Sequence, residues 1–347
     1  MVKIEEIKSF MKDKGIKLDK KYLKFLEYIT EEDALKLRDK DEYSHIYPEY
    51  LPNWSESWYF NFIDEDAGVD WVTRISYNPF EKGSNVLSVL FIDNKPKVYV
   101  KRLKIDEMPK DRWDLDKRVK YELIKPHNEW KLAFEDRNYK LDVVWKARFE
   151  PFSYLEGIDI FEYFEEYVDL IGKASQQHYE QAGIVTGTLK FKKTGEERQI
   201  NCFGHRDHSW GVREWQVVDK WNWIAAQFPD KTINISKVNI GKNLLVSGFI
   251  SKSDGNTRVS NVEIETELEE YKDNFGQTQT RPKKSIFEIT DINNNKYIIK
   301  SERRTSIDLP VPIPSEIKTI ISEQIHRFTL DDESANGTGV SEYLYKI

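Results

Sequence analysis

From about Leu51 onward, apolar and polar residues alternate with a period of two, and the alternating runs are bounded by short polar turns. WYFNFIDEDAGVDWVTRISYNPF, SNVLSVLFIDNKPKVYVKRLKI and WKLAFEDRNYKLDVVWKARFEPF each set two apolar-rich runs around a turn: DEDAG, DNKP and EDRN. Alternation of this kind buries one face of a strand, and Asp/Asn/Gly turns join neighbours antiparallel. The pattern predicts a meander. A segment near residues 152–182, bracketed by Gly157, Gly172 and Gly183, reads as a short helix or connecting arm. Strands then resume with IVTGTLKF, RQINCFGHRDHSWG, KWNWIAAQF, INISKV, NLLVSGFI, KSIFEITD and YIIKSERR, around the turns KKTGEE, PDKT and INNN.

Helical spacing is confined to residues 3–29, where Ile4, Ile7, Phe10 and Met11, then Leu23, Leu26 and Ile29, share faces on either side of Gly15. This predicts two short amphipathic helices. The run LPVPIPSE (Leu309 to Glu316) is expected to be an extended connection or edge, because proline cannot donate to a ladder. No helical segments long enough for βαβ units separate the strands, so a parallel sheet is disfavoured. This many antiparallel strands must close into a barrel or stack as a sandwich to protect their edges. The expected class is mainly β. Its expected division is an N-terminal helical appendage over 1–50, one barrel over 51–172 and a second over 173–347.

Composition narrows the picture. The chain has 347 residues, enough for two ordinary domains, and a formal charge of −7 with the signs interspersed. That balance opposes nucleic-acid binding, which wants a basic surface. No run approaches the roughly 20 apolar residues of a membrane-spanning helix, and the charged N-terminus lacks a signal-peptide core. Cys202 is the only cysteine, which excludes an intramolecular disulfide and fits a reducing compartment. A cytoplasmic location is the default expectation. Aromatics make up 13% of the chain, suited to sheets and to the walls of an apolar pocket. Oligomeric state is not legible.

The densest chemistry lies in FGHRDHSWGVREW, Phe203 to Trp215. In a strand, Arg206, His208 and Trp210 share one face and His205, Asp207 and Ser209 the other. Gly211 then interrupts the pattern, as at a bulge that would re-aim Arg213 and Trp215. His205, His208 and Asp207 do not make a metal site, because the two histidines lie on opposite faces and no fourth ligand is evident. No metal or cofactor is expected. Gly337 and Gly339 lack the strand, turn and helix context of a nucleotide site and read as turn or strand-packing glycines. Cys202 reads as a core residue.

HYEQAGIVTG (His178 to Gly187) followed by FGHRDHSWGVREW resembles the AttH and carotenoid 1,2-hydratase superfamily. SESWYFNFIDEDAGVDWVTRISYNP (Ser55 to Pro79) is similar to the opening strands of its first barrel, and TLDDESANGTGVSEY (Thr329 to Tyr343) to its closing strand. The resemblance implies two lipocalin-like barrels in tandem. It also implies an isoprenoid, polyene or lipid-like ligand, with hydratases and ring-closing enzymes among the members. The His-x-Trp pair implicated in the carotenoid hydratases falls on His208 and Trp210. The stretch KWNWIAAQFPDKTINISKV after the motif contains no Tyr-x-Asp.

Two readings of the motif remain open. In the first, Asp207 or His208 handles protons and Trp210 supports a cation through its indole face, for hydration, isomerisation or cyclisation without a cofactor. Arg206, Arg213, Trp215, Trp221, Trp223, His178 and Glu342 would then line the ligand. In the second, the protein carries or senses a hydrophobic ligand, and Arg206, Asp207, His208 and Arg213 form a buried network closing one barrel end. Trp221 and Trp223 share a face that also suits core packing, and His178 suits a latch between domains. Glu342 is expected to pair with Arg206 or Arg213 as the last strand closes the barrel.

Overall fold

The fold, taken from a computed structural model, is described for residues 4–15, 17, 37–45, 54–154, 176–212, 217–272, 278–310, 319–331 and 335–346. Helix α1 (Ile4–Asp13) is the first of the two expected N-terminal helices. The expected second helix lies outside the described residues, as do 155–175 of the connecting arm, 311–316 of the proline run, and Arg213 and Trp215.

Strands dominate the rest. The first group is β1 (Trp54–Asp64), β2 (Val69–Asn78), β3 (Gly83–Ile92), β4 (Lys95–Lys104), β5 (Arg112–Trp113), β6 (Val119–Lys125), β7 (Glu129–Glu135), β8 (Tyr139–Ala147), β9 (Phe152–Ser153), β10 (Gln176–Phe191) and β11 (Glu197–Val212). They form one 11-stranded sheet in the order β4-β3-β2-β1-β11-β10-β8-β7-β6-β5, with β9 paired to β10. The second group is β12 (Lys220–Gln227), β13 (Thr232–Ile240), β14 (Asn243–Lys252), β15 (Gly255–Lys272), β16 (Thr278–Asp291), β17 (Lys296–Pro310), β18 (Thr319–Leu330) and β19 (Asn336–Lys346). These close into a barrel in sequence order. The architecture is mainly β with two lipocalin-like units in tandem, the first left open as a half-barrel.

Local chemistry explains the hairpins. Between β3 and β4, Asp93 and Asn94 both take positive φ, 51° and 64°, as a two-residue turn matching the strand twist requires. The expected meander is β1 to β4, and a second meander runs β6 to β8. What joins them is the β10–β11 hairpin: β10 pairs with β8, and β11 pairs with β1. The hairpin carrying the GHRDHSWG motif therefore lies in the first sheet, not in the second barrel where the strand succession placed it. Succession along the chain cannot show that β1 and β8 are the two open edges this hairpin fills. Gly211 is not a bulge either. Its φ is 130°, yet β11 runs on to Val212 in unbroken register with β1 and β10.

Three apolar layers result. The concave side of the first sheet holds Trp58, Phe60, Trp71, Trp113, Trp130 and Trp145. The barrel interior holds Ile224, Ile235, Phe287, Ile299 and Phe328. The opposite face of the first sheet packs on the outside of the barrel through Tyr59, Val72, Phe91, Trp223, Ile325 and Val340. Gly183 and Gly204 are cross-strand partners in β10 and β11, and the indole of Trp145 fills the space they leave. A Cβ on Gly183 would meet that ring at 2.2 Å.

Candidate active site

Because β11 is central, each face of the motif meets a different environment, as alternation predicted. Arg206, His208 and Trp210 point into the concave core and are fully buried. There they meet the 3-10 turn Asp39–Glu42 and the residues after it. Arg206 Nη2 donates to Glu42 Oε1 at 2.6 Å and to Gln181 Oε1 at 2.8 Å, and Nη1 donates to the Tyr179 hydroxyl at 3.1 Å. Trp130 Nε1 donates to Glu42 Oε2 at 3.0 Å. Burial would raise the Glu42 carboxyl, but the Arg206 charge and the His127 side chain outweigh it and hold Glu42 well below the usual carboxylate range.

The same pocket of side chains holds a second acid. Glu56 Oε1 lies 2.9 Å from His208 Nε2 and 2.7 Å from His45 Nδ1. His45 also stacks on Trp210 at 4.0 Å, and Trp58 stacks on His208 at 4.6 Å. Burial pushes His208 down and so favours the neutral ring. Burial acts the same way on His45, but Glu56 and Asp41 overcome it and raise that ring. His45, Glu56 and His208 place three metal-capable ligand atoms within 4.8 Å of one another. A divalent cation could enter only by displacing the protons that now join the two rings to the carboxylate, since thiol-free His/carboxylate sets bind metal in their deprotonated forms. Both carboxylates are met by several donors, which is how a core tolerates charge, while His45 Nε2, His127 Nδ1 and Trp210 Nε1 are buried without a hydrogen-bond partner among the described residues.

The opposite face of β11 looks toward the barrel. His205 Nε2 lies 2.6 Å from Glu180 Oε2, Trp223 Nε1 donates to Glu180 Oε1 at 2.9 Å, and Asn234 Nδ2 donates to Glu180 Oε2 at 2.5 Å. His178 is half-buried, 3.2 Å from Glu180 Oε1, and stacks on Tyr154. Although buried, Glu180 is held down at about 2 by His178 and His205. This group bonds the first sheet to β12 and β13, and His178 joins it as part of that latch.

Beside the latch, two cross-strand rows face each other. On the sheet, register sets Glu180, Asp207, Tyr59, Arg74 and Leu87 side by side across β10, β11, β1, β2 and β3. On the barrel, it sets Trp223, Glu342, Glu323 and Ile307 side by side across β12, β19, β18 and β17. Tyr59 meets Trp223 edge-on at 5.7 Å. Burial lowers the Arg74 guanidinium, while Asp207, Glu342 and Glu323 pull it back up. Burial and the neighbouring Glu323 raise the Glu342 carboxyl well above its usual range, and burial raises Glu323 as well. Yet Arg74, Asp207, Trp221, Leu87, Ile307 and Leu309 all keep partial accessible surface. Between the rows lie two acids whose carboxyls burial raises, a cation and a carboxylate, among indole, phenol and aliphatic side chains.

These positions redistribute the sequence-level candidates. Asp207, Trp221, Trp223 and Glu342 lie where the sheet packs on the barrel, and His178 sits beside them in the latch. His208, Trp210 and Arg206 lie on the other side of the sheet. Glu342 does not pair with Arg206, whose guanidinium faces the concave core and belongs to Glu42; among the described residues the cation beside Glu342 is Arg74, and the alternative partner Arg213 lies outside them. Periodicity put Arg206 on its correct face, but not Glu342 on the opposite side of β11. Sequence reading missed Glu42, His45, Glu56, Tyr59, Arg74, Glu180, Asn234 and Glu323. For Glu323 a signal existed. In TIISEQIHRFTL it occupies the same alternation as Ile321 and Ile325, an acid at an apolar parity.

Residues 38–347 match the family described as a domain of unknown function, DUF7064. The chain belongs to the DUF7064 family. No curated protein matches it in sequence. Among solved structures, an AttH candidate from Nitrosomonas europaea is similar with a TM-score of 0.65 at 12% identity, covering 88% of this chain and 95% of that one. CghA with Sch210972 is similar with a TM-score of 0.59 at 13% identity, covering 85% of this chain and 89% of that one. Kievitone hydratase from Nectria haematococca is similar with a TM-score of 0.57 at 14% identity, covering 90% and 94%. At these identities the likeness establishes the fold of the DUF7064 chain, which is that of the AttH-like tandem lipocalin proteins, as the motif resemblance implied. Among the described residues no helix is long and apolar enough to cross a membrane.

Proposed function

We propose that the DUF7064 chain binds an apolar small molecule, of isoprenoid, polyene or lipid type, in the cleft between the 11-stranded sheet and the barrel. There it performs acid–base chemistry without a cofactor: hydration, isomerisation or cyclisation. The observation that carries this reading is that Asp207, Arg74 and Trp221 retain accessible surface between the two packed sheets. Aromatic walls suit an apolar ligand and stabilise developing positive charge by on the order of 0.5–2 kcal/mol per ring. A few convergent polar groups supply orientation and proton transfer. The fold likeness to a kievitone hydratase, and to CghA in complex with Sch210972, supports the same reading. Within it, Asp207 is the motif residue that meets ligand. His208, Arg206 and Trp210 hold β11 in place from behind.

Native mass spectrometry of the protein purified from its own cells tests the reading, together with quenching of tryptophan fluorescence by geranylgeraniol, squalene and a C18 fatty acid. An apolar adduct or saturable quenching is expected, weakened about tenfold in Trp221→Ala, the equivalent of about 1.4 kcal/mol. Absence of both would overturn the cleft as a ligand site. Binding with no change in the recovered molecule would leave a carrier.

A further inference from the structure

We propose that Glu323 and Glu342 share a single proton and that this carboxylic acid is the proton donor of the cleft. The inference rests on the cleft reading above and names the group that does its chemistry. Register places the two residues directly opposite each other on β18 and β19, where same-face side chains come within about 4.5–5.5 Å at Cβ. Both point away from the barrel interior toward the first sheet, on the parity of Ile325 and Val340. Both are buried, with 3% and 8% of their surface exposed, so two full negative charges side by side would be strongly disfavoured. Burial and the neighbouring Glu323 raise the Glu342 carboxyl, as one proton held between the two opposed side chains would require. One oxygen of Glu323, Oε2, is buried with no hydrogen-bond partner among the described residues.

The surroundings fix which charges the pair feels. Among the described residues Arg74 on β2 supplies the cation, Asp207 on β11 a further anion, Tyr59 on β1 a phenol, and Trp223 on β12 is the cross-strand neighbour of Glu342. With Arg74 opposing Asp207, keeping one proton holds the pair at a single negative charge instead of two. A carboxylic acid kept neutral at neutral pH is what protonating an electron-rich double bond requires. In that step a C–H bond forms on the substrate from the shared proton, the π electrons supply the bond, and the pair becomes dianionic. The carbocation left behind lies among Trp221, Trp223 and Tyr59. It is then quenched in one of two balanced ways. Water adds its oxygen to the cation and releases a proton, or the adjacent carbon releases a proton and a shifted double bond forms. Either proton returns to the pair, directly or through Asp207.

Two measurements test the proposal separately from the cleft reading. Infrared difference spectra at pH 7, wild type against Glu342→Gln and against Glu323→Gln, read the neutral carboxyl C=O stretch without any ligand. The band is expected in wild type and absent from both variants, because a lone acid beside Arg74 ionises. A wild type without that band, or a band retained in both variants, overturns the shared proton. The second measurement is deuterium incorporation into geranylgeraniol in heavy water, with tryptophan quenching by the same compound as the binding readout. Incorporation is expected to fall about 10²- to 10⁴-fold in either variant, while quenching persists. Incorporation at the wild-type rate in a folded Gln variant, or a wild type that binds without incorporating deuterium, overturns the proton-donor role and leaves the cleft intact. Loss of quenching in wild type itself overturns the cleft instead.

Discussion

Replacing Arg206 by Met separates the two faces of the motif strand. The guanidinium is fully buried and donates to Glu42, Gln181 and the Tyr179 hydroxyl. Met fills much of the same volume, so little cavity term arises. What remains is the Glu42 carboxylate, buried and stripped of its main counter-charge. Breaking one partner of such a pair costs about 3–5 kcal/mol. For a unit of about 150–250 residues each kcal/mol moves Tm by about 2–4 °C, so the fall should be about 6–20 °C. Adding Glu42→Gln to Arg206→Met removes the orphaned charge and should recover a large part of the loss, since the double change leaves only neutral groups. Differential scanning calorimetry and urea unfolding at pH 7 measure both. The pH dependence provides a further check. Glu42 is held below its unfolded value of about 4.3, so its contribution is complete above that pH and is lost as acid is added below it. A Tm for Arg206→Met within about 2 °C of wild type would refute the argument and move Arg206 from scaffold to site.

Asp70 gives the opposite pH dependence. It is buried against Arg304 of β17, and burial raises its carboxyl to about 6. The folded state therefore takes up this proton before the unfolded chain does, so its contribution is present below about pH 4 and is lost as the pH rises through 6. Asp70→Asn should flatten the stability profile between pH 4 and 6, measured by Tm against pH; an unchanged slope would contradict it. Trp223→Phe removes the indole donor to Glu180 and should cost about 1.5–3 kcal/mol, the range for a hydrogen bond to a charged group. Amide exchange should then speed up in β12 and β13 more than in β6 and β7, and uniform acceleration would argue against a latch. Gly183→Ala must displace the Trp145 indole, overpacking the concave core at a cost of about 1–3 kcal/mol. Urea midpoints would show it, and a neutral effect would mean that the ring has room to move.

The amino-acid order by itself determined the strand class, the turns and the face on which each motif residue lies. All three depend on neighbours within a few positions: period-two alternation, the φ preferences of Asn, Asp and Gly, and the pleat. It could not decide which strands meet. GHRDHSWG reads the same whether β11 opens a second barrel or closes the first sheet, and only the pairing with β1 and β8 distinguishes them. That pairing decided that His208 faces Glu56 and Asp207 faces the cleft. The packing of sheet on barrel then brought Glu323 and Glu342 opposite Arg74, residues separated by about 250 positions in the chain. Long-range register follows from which open edges can be covered and which faces buried. Those are properties of the assembled sheets, and no local stretch of sequence contains them.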